Sequence, residues 1–190
     1  MPNRSTMSMR TFAAFAGGAL AGVVASRILP PILGQAAGAA RVRAGRDPFE
    51  ALIADHRAIQ GLLEDLAGTP DHAAFQRGQL LLRLKRRLAA HALAEEDVVY
   101  PELVHDGQSR DDAHRLYRDH ADMKVHLYRL EQMAKDDPGW HSRLLDLKRL
   151  IEEHIRLEED VEFVKLRAAL DEAGLRRLSS HLFREKALLL

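Results

Sequence analysis

Cysteine is absent from the 190 residues, which excludes disulfides, thiolate metal sites and cysteine nucleophiles. Excess charge is absent too. The 28 Lys+Arg balance 28 Asp+Glu, so no basic stripe points to nucleic acid. No apolar run reaches the roughly 20 residues of a membrane-spanning helix. No segment alternates with period two and carries β-branched residues, so strands are not expected. What the chain does have is histidine, ten in all, and their positions carry the argument.

Residues 1–46 stand apart in composition. Thr11 to Ala25 is uncharged and rich in Ala, Gly and Phe, with Gly18 and Gly22 at a GxxxG spacing. Arg4 and Arg10 precede it, and Pro30-Pro31 end any helix there. A second apolar stretch, Ile32 to Ala40, runs into Arg41, Arg43 and Arg46. Three readings compete: a short membrane span, a signal peptide, and a membrane-apposed or self-associating helix. Membrane contact or self-association through residues 11–40 stays open on this pattern. So does placement, between cytoplasmic, membrane-associated and exported.

From Asp47-Pro48, an N-cap followed by proline at the first helical position, the pattern becomes helical. Helix A carries Phe49, Leu52, His56, Ile59, Leu63 and Leu66, and closes near Gly68. Helix B carries Leu81, Leu84, Leu88, His91, Glu95 and Val98, weakens at Pro101 and stops before Gly107. Ser109 and Asp112 resemble a capping box for helix C, with Ala113, Leu116, His120, Met123, Leu127 and Leu130. Pro138-Gly139 separates it from helix D, with Trp140, Leu144, Leu147, Ile151, His154, Glu158 and Val161. The expected fold is all-α: an up-down-up-down antiparallel four-helix bundle over 47–170. The apolar segment 1–46 precedes it, and a short helix at 171–190 packs across one end. His56 and His91 lie at unequal distances from their connection, a mismatch of about 13 Å at 1.5 Å per residue. Residues 69–76 are therefore expected to form an overhanging loop or separate turn.

One phrase occurs twice. His91-Ala-Leu-Ala-Glu95-Glu96-Asp97-Val98 returns as His154-Ile-Arg-Leu-Glu158-Glu159-Asp160-Val161. Four helical residues turn through about 400°, so each His and Glu share a face, about 40° apart. Asp55-His56 likewise returns as Asp119-His120, so the chain reads as an internal duplication. His56, His91, Glu95, His120, His154 and Glu158 all stand where the stripe calls for Leu or Ile. Buried carboxylates need partners. Two carboxylates beside four imidazoles form a nitrogen/oxygen set suited to iron, manganese or zinc. Six ligands exceed a tetrahedral zinc site, and the duplication suggests two metals. His56 and His91 would serve one, His120 and His154 the other, with Glu95 and Glu158 bridging. The plain alternative, a satisfied buried polar network, fits one histidine better than six at matched spacing. Glu96 and Glu159 fall about 140° from their histidines, facing solvent or supporting the ligands from outside. Tyr117 either reaches the site as a donor or packs in the core. His72, His105, His114, His126, His141 and His181 are expected at the surface.

Residues 48–170 resemble a hemerythrin-like domain of the HHE cation-binding family. The matching motifs are Asp55-His56, His91-x-x-x-Glu95-Glu96 with Tyr100-Pro101, Asp119-His120, and His154-x-x-x-Glu158-Glu159. The resemblance implies two non-heme iron ions with an oxo or hydroxo bridge, ahead of manganese or zinc. It also implies O₂ or another small ligand at the metal. Two departures matter. Oxygen-carrying members have a fifth histidine where this chain has Leu116, and the second repeat reads Phe163-Val164 against Tyr100-Pro101. The expected function is binding or sensing of O₂, nitric oxide, peroxide, or iron and redox state. A di-iron oxidase, peroxidase or nitric-oxide-consuming enzyme comes second, and a metal-stabilised membrane adaptor third.

Overall fold

The computed structural model describes residues 47–105 and 110–188. The apolar segment expected at 11–40, and Ser109 of the expected capping box, lie outside them. The described residues form helices α1 (Pro48–Ala67), α2 (Ala74–Ala94), α3 (Tyr100–His105), α4 (Arg110–Gln132), α5 (Trp140–Leu157), α6 (Phe163–Ala169) and α7 (Glu172–Leu188). Two single π turns interrupt them, π1 (Glu95–Val99) between α2 and α3, and π2 (Glu158–Glu162) between α5 and α6. No strand occurs among the described residues, and no helix there is long and apolar enough to cross a membrane.

Asp47 caps α1 through its side chain, accepting from the Phe49 amide at 2.8 Å, a contact worth about 1 kcal/mol. Pro48 follows at the first helical position, where its missing N–H costs nothing. The apolar stripes pack α1 against α2 and α5, α4 against α5, and α2 more sparsely against α4. They bury two apolar clusters. One contains Leu63, Leu66, Leu84, Leu130, Trp140 and Leu147. The other contains Phe49, Leu52, Tyr100, Leu116, Phe163 and Leu182. Along α1, α2, α4 and α5 the site histidine lies between residues packed in one cluster and residues packed against the other. A polar layer therefore separates two apolar ones.

The loop expected at 69–76 is shorter. Residues 68–73 are non-helical and α2 begins at Ala74. The first turns of α2 are held down by Arg77, fully buried. Its guanidinium donates to Thr69 Oγ1 (3.0 Å), the Lys135 carbonyl (2.7 Å) and Asp71 Oδ1 (2.8 Å), and lies 4.8 Å from the centroid of the Trp140 ring. One cation thus ties the start of α2 to the α4–α5 connection, which makes extra helix there affordable.

Helix B is disturbed just before Pro101, where the chain takes the turn π1, and it continues helically as α3 to His105. One further expectation changes in detail. The final helix is not short. Glu172–Leu188 spans 17 residues and packs along α1, α2 and π1, burying Leu178 and Leu182.

Candidate metal centre

All six expected residues meet in the polar layer. His56, Glu95 and Glu158 are 0% exposed, and His91, His120 and His154 no more than 3%. Their ligand-type atoms fall into two quartets, His56/His91/Glu95/Glu158 and Glu95/His120/His154/Glu158, each with its atoms within 4.8 Å of one another. The two carboxylates belong to both. Glu95 lies 3.1 Å from His91 Nε2 and 3.6 Å from His120 Nε2. Glu158 lies 3.2 Å from His56 Nε2 and 3.3 Å from His154 Nε2. All four Nε2 atoms face inward.

The outward nitrogens explain why. His56 Nδ1 lies 2.7 Å from Glu159, and His120 Nδ1 lies 3.0 Å from Glu96. His91 Nδ1 and His154 Nδ1 lie 3.7 Å and 3.5 Å from Asp55 and Asp119. A hydrogen-bonded acid on Nδ1 fixes the rings of His56 and His120 and leaves their Nε2 for a ligand role, while Asp55 and Asp119 face Nδ1 of His91 and His154 as nearby charges without a hydrogen bond. Glu96 and Glu159 therefore do more than face solvent. Each reaches a histidine on another helix. The adjacent acids in Asp55-His56 and Glu95-Glu96 were the available sequence signal, but their partners are non-local.

Each π turn starts at a shared glutamate. The Tyr100 amide bonds back to the Glu95 carbonyl, and the Phe163 amide to that of Glu158, five residues rather than four. Such turns are rare and concentrate at functional sites. Closing on the fifth residue sets Tyr100 and Phe163 beside the polar layer. Pro101 has no N–H to give the next carbonyl in this pattern, that of Glu96. The Tyr117 hydroxyl donates to it instead, at 2.8 Å. Tyr117 thus supports the site through backbone and by an edge-on contact with the Tyr100 ring, centroids 5.0 Å apart.

Tyr100 is the residue whose role sequence reasoning missed. Its hydroxyl donates to Glu158 Oε1 at 2.7 Å and lies 3.1 Å from His120 Nε2. Phe163 stacks on His56 instead, 5.9 Å between centroids and 6° from parallel. Among the other histidines, His72, His114 and His181 are exposed, and His126 and His141 are half-buried. None belongs to the quartets, and the His105 side chain lies outside the described residues.

The electrostatics follow from burial and pairing. Burial alone would lower the His56 imidazole, but the Glu158 and Glu95 carboxylates close beside its Nε2 push it up to about 10. His154 rises to about 10 in the same way: against burial, the Glu158 charge and the nearby Asp119 carboxylate favour the proton. Burial would raise Glu158, yet His154 and His56 hold it well below the usual carboxylate range. The Glu96 carboxyl falls to about 2, chiefly through its hydrogen bond with His120. Burial and the nearby Glu95 and Glu158 charges drive the Tyr100 hydroxyl well above 10.

The donor set fits a cation. His56 Nε2, His91 Nε2, both Glu95 oxygens and Glu158 Oε2 are buried without a hydrogen-bond partner, which is costly for polar atoms unless something else satisfies them. His120 Nε2 and His154 Nε2 lie only 3.1 Å apart, both pointing into the same space. Cation binding would need the imidazoles neutral and would release their protons.

Fold and site together define a class: an all-helical domain with a buried histidine/carboxylate centre for metal. The chain belongs to the hemerythrin HHE cation binding domain family, whose sequence model matches residues 47–166. It is similar in fold to the crystal structure of a hemerythrin HHE cation binding domain-containing protein from Mycobacterium kansasii. The TM-score is 0.61 at 22% identity, over 73% of this chain and 88% of that one. It is also 28% identical over 113 residues to a protein from Nostoc sp. named DNA nickase, covering 60% of this chain. The chain spans 31% of that relative's length.

Proposed function

We propose that the chain binds two iron ions and uses them to bind or sense O₂, nitric oxide, peroxide, or the iron and redox state itself. His56 and His91 would hold one ion and His120 and His154 the other, with the carboxylates of Glu95 and Glu158 available to both. The four long helices are the limbs of an up-down-up-down bundle over 47–170, built from a duplicated helix pair, with 171–190 packed on it. The observation that carries the reading is that the two quartets share both carboxylates. Two ions side by side need bridging oxygens, and carboxylates supply them without thiolates. A ligand set larger than tetrahedral zinc requires supports iron, ahead of manganese or zinc, as the expected metal.

Iron held there supplies one-electron redox change and open positions for a small ligand. The protein supplies the rest. Glu159 and Glu96 orient the His56 and His120 imidazoles, Asp55 and Asp119 face His91 and His154 as nearby charges, and the apolar layers keep water from the buried carboxylates. Leu116, fully buried one turn before His120, cannot add a fifth imidazole. That favours sensing or transient binding over stable carriage.

The decisive test is metal analysis and optical spectroscopy of protein produced with iron. About two irons per chain are expected, with charge-transfer absorption that changes on reduction and exposure to O₂ or nitric oxide. Less than one iron per chain, or an unchanging spectrum, overturns the reading.

The Tyr100 hydroxyl favours a second, catalytic reading. It places a proton donor on Glu158, within reach of a ligand between the quartets. Sustained peroxide or nitric oxide turnover that collapses in Tyr100→Phe at unchanged iron content selects catalysis over sensing. Stoichiometric binding alone rejects it.

A further inference from the structure

A cavity of about 230 Å³ runs from the surface between α2 and α4 to the polar layer. Its walls are apolar: Ile59, Leu88, Met123, Leu127, Ile151 and Ile155. Its inner end is formed by the four imidazoles of the proposed metal centre. At the mouth stand Lys85, Glu131, Lys124 and the exposed Tyr128. The charges there are already matched. Lys85 Nζ lies 2.7 Å from Glu131 Oε1, bridging α2 to α4, and Lys124 Nζ lies 2.9 Å from Glu96 Oε1.

Each feature narrows the occupant. Packed helices leave little space between them, and this pocket opens to solvent at one end and reaches the polar layer at the other, which leaves a ligand a way in. A diatomic ligand needs a small fraction of it. Water would find few polar partners along walls of Leu, Ile and Met, and apolar cavities of roughly 150 Å³ stay dry yet bind benzene. An anionic ligand would have to displace Glu131 or Glu96 from the mouth lysines.

We propose that this cavity is a binding site for a neutral apolar organic molecule of about the size of a monocyclic aromatic, held with one end against the four histidines. The chain would then take a small organic ligand beside its metal centre as well as a diatomic one on it. This goes beyond the di-iron reading and stands on the cavity alone, since wall and mouth residues are independent of which metal is bound.

Titration calorimetry of the purified chain with toluene, with iron content measured on the same sample, tests it. Toluene is expected to bind saturably at one per chain, and benzoate at least tenfold more weakly. Leu127→Trp, which fills the cavity a full two turns from His120, is expected to weaken toluene at least tenfold at unchanged iron content. Leu88→Phe serves the same purpose should the tryptophan variant not fold. No saturable toluene binding, equal affinity for benzoate, or wild-type affinity in the folded filled variants overturns the proposal. Toluene binding in a chain that takes up no iron would support this site and sink the di-iron reading; the reverse result would do the opposite.

Discussion

His120 and His154 share their side of the centre with a tyrosine hydroxyl, whereas His56 faces a phenyl ring. The backbone device is the same on both sides: a His-x-x-x-Glu pair followed by a π turn that closes on the fifth residue. Only the residue at that fifth place differs, Tyr100 against Phe163. The outer supports differ as well. Asp55, beside His91, is also bound by Arg87 (3.2 Å) and by Lys186 from α7, and His91 and Lys186 hold its carboxyl at about 2 despite burial. Matching scaffolds can thus present chemically unequal halves, one with a proton donor and one braced by the final helix.

Removing what the halves share should erase the difference between them. In Glu158→Ala both quartets lose a member, and iron content is expected to fall from about two per chain to near zero by elemental analysis. Retention of two ions would show that Glu158 bridges nothing.

Removing what each half owns should separate them. His56→Ala and His120→Ala are each expected to lose about one ion, leaving a mononuclear centre. Absorption spectra then report which half the remaining ion occupies, since only the His120/His154 side has the Tyr100 hydroxyl beside it.

The two raised imidazoles, one per half, give a pH signature. His56 and His154 titrate near 10 in the metal-free fold, above their ordinary 6.5. Their contribution to stability is therefore fully present below pH 6.5 and lost as pH rises through about 10. Urea denaturation of metal-free protein should show declining stability across that window. Iron affinity should rise over the same window as the protons leave. A flat metal-free profile would count against protonated imidazoles in the centre.

Exchanging the fifth residues tests the asymmetry directly. Tyr100→Phe leaves Glu158 Oε1 without its hydroxyl donor, an expected loss of about 1–3 kcal/mol in the metal-free protein, with iron stoichiometry unchanged. Phe163→Tyr should partly restore hydroxyl-dependent spectral features on the opposite side.

The smallest effect concerns the brace. Lys186→Ala removes one cation from Asp55, and about two- to threefold weaker binding is expected at the His56/His91 half alone, in keeping with the modest strength of partly exposed ion pairs. Competitive titration with a coloured chelator measures it. Equal weakening of both ions would deny any selective link from α7 to His91.

All six members of the quartets were legible because helical period is local. A histidine replacing leucine in a 3.6-residue stripe must point inward wherever the helix packs. The Asp47-Pro48 start, the Gly68 end and the Pro138-Gly139 break were legible for the same reason. The role of Tyr100 was not. On a regular helix it would lie about 140° from Glu95, and only the π turn brings it to the centre. Nor could the stripe show that Arg77 would be buried, since its partners come from the 68–73 loop, the Lys135 carbonyl and Trp140.

By itself, then, the sequence determined which side chains face the interior and at what height along each helix. Those follow from spacing and from the cost of burying an unpaired charge. The tertiary structure decided who meets whom. Glu159 reaches His56 across 103 residues and Glu96 reaches His120 across 24, pairings that depend on how helices are placed beside one another. It also decided that the two His/Glu pairs would serve unequal neighbours. A one-residue π expansion turns the next side chain toward the centre, and whether that side chain carries a hydroxyl then sets the chemistry on each side.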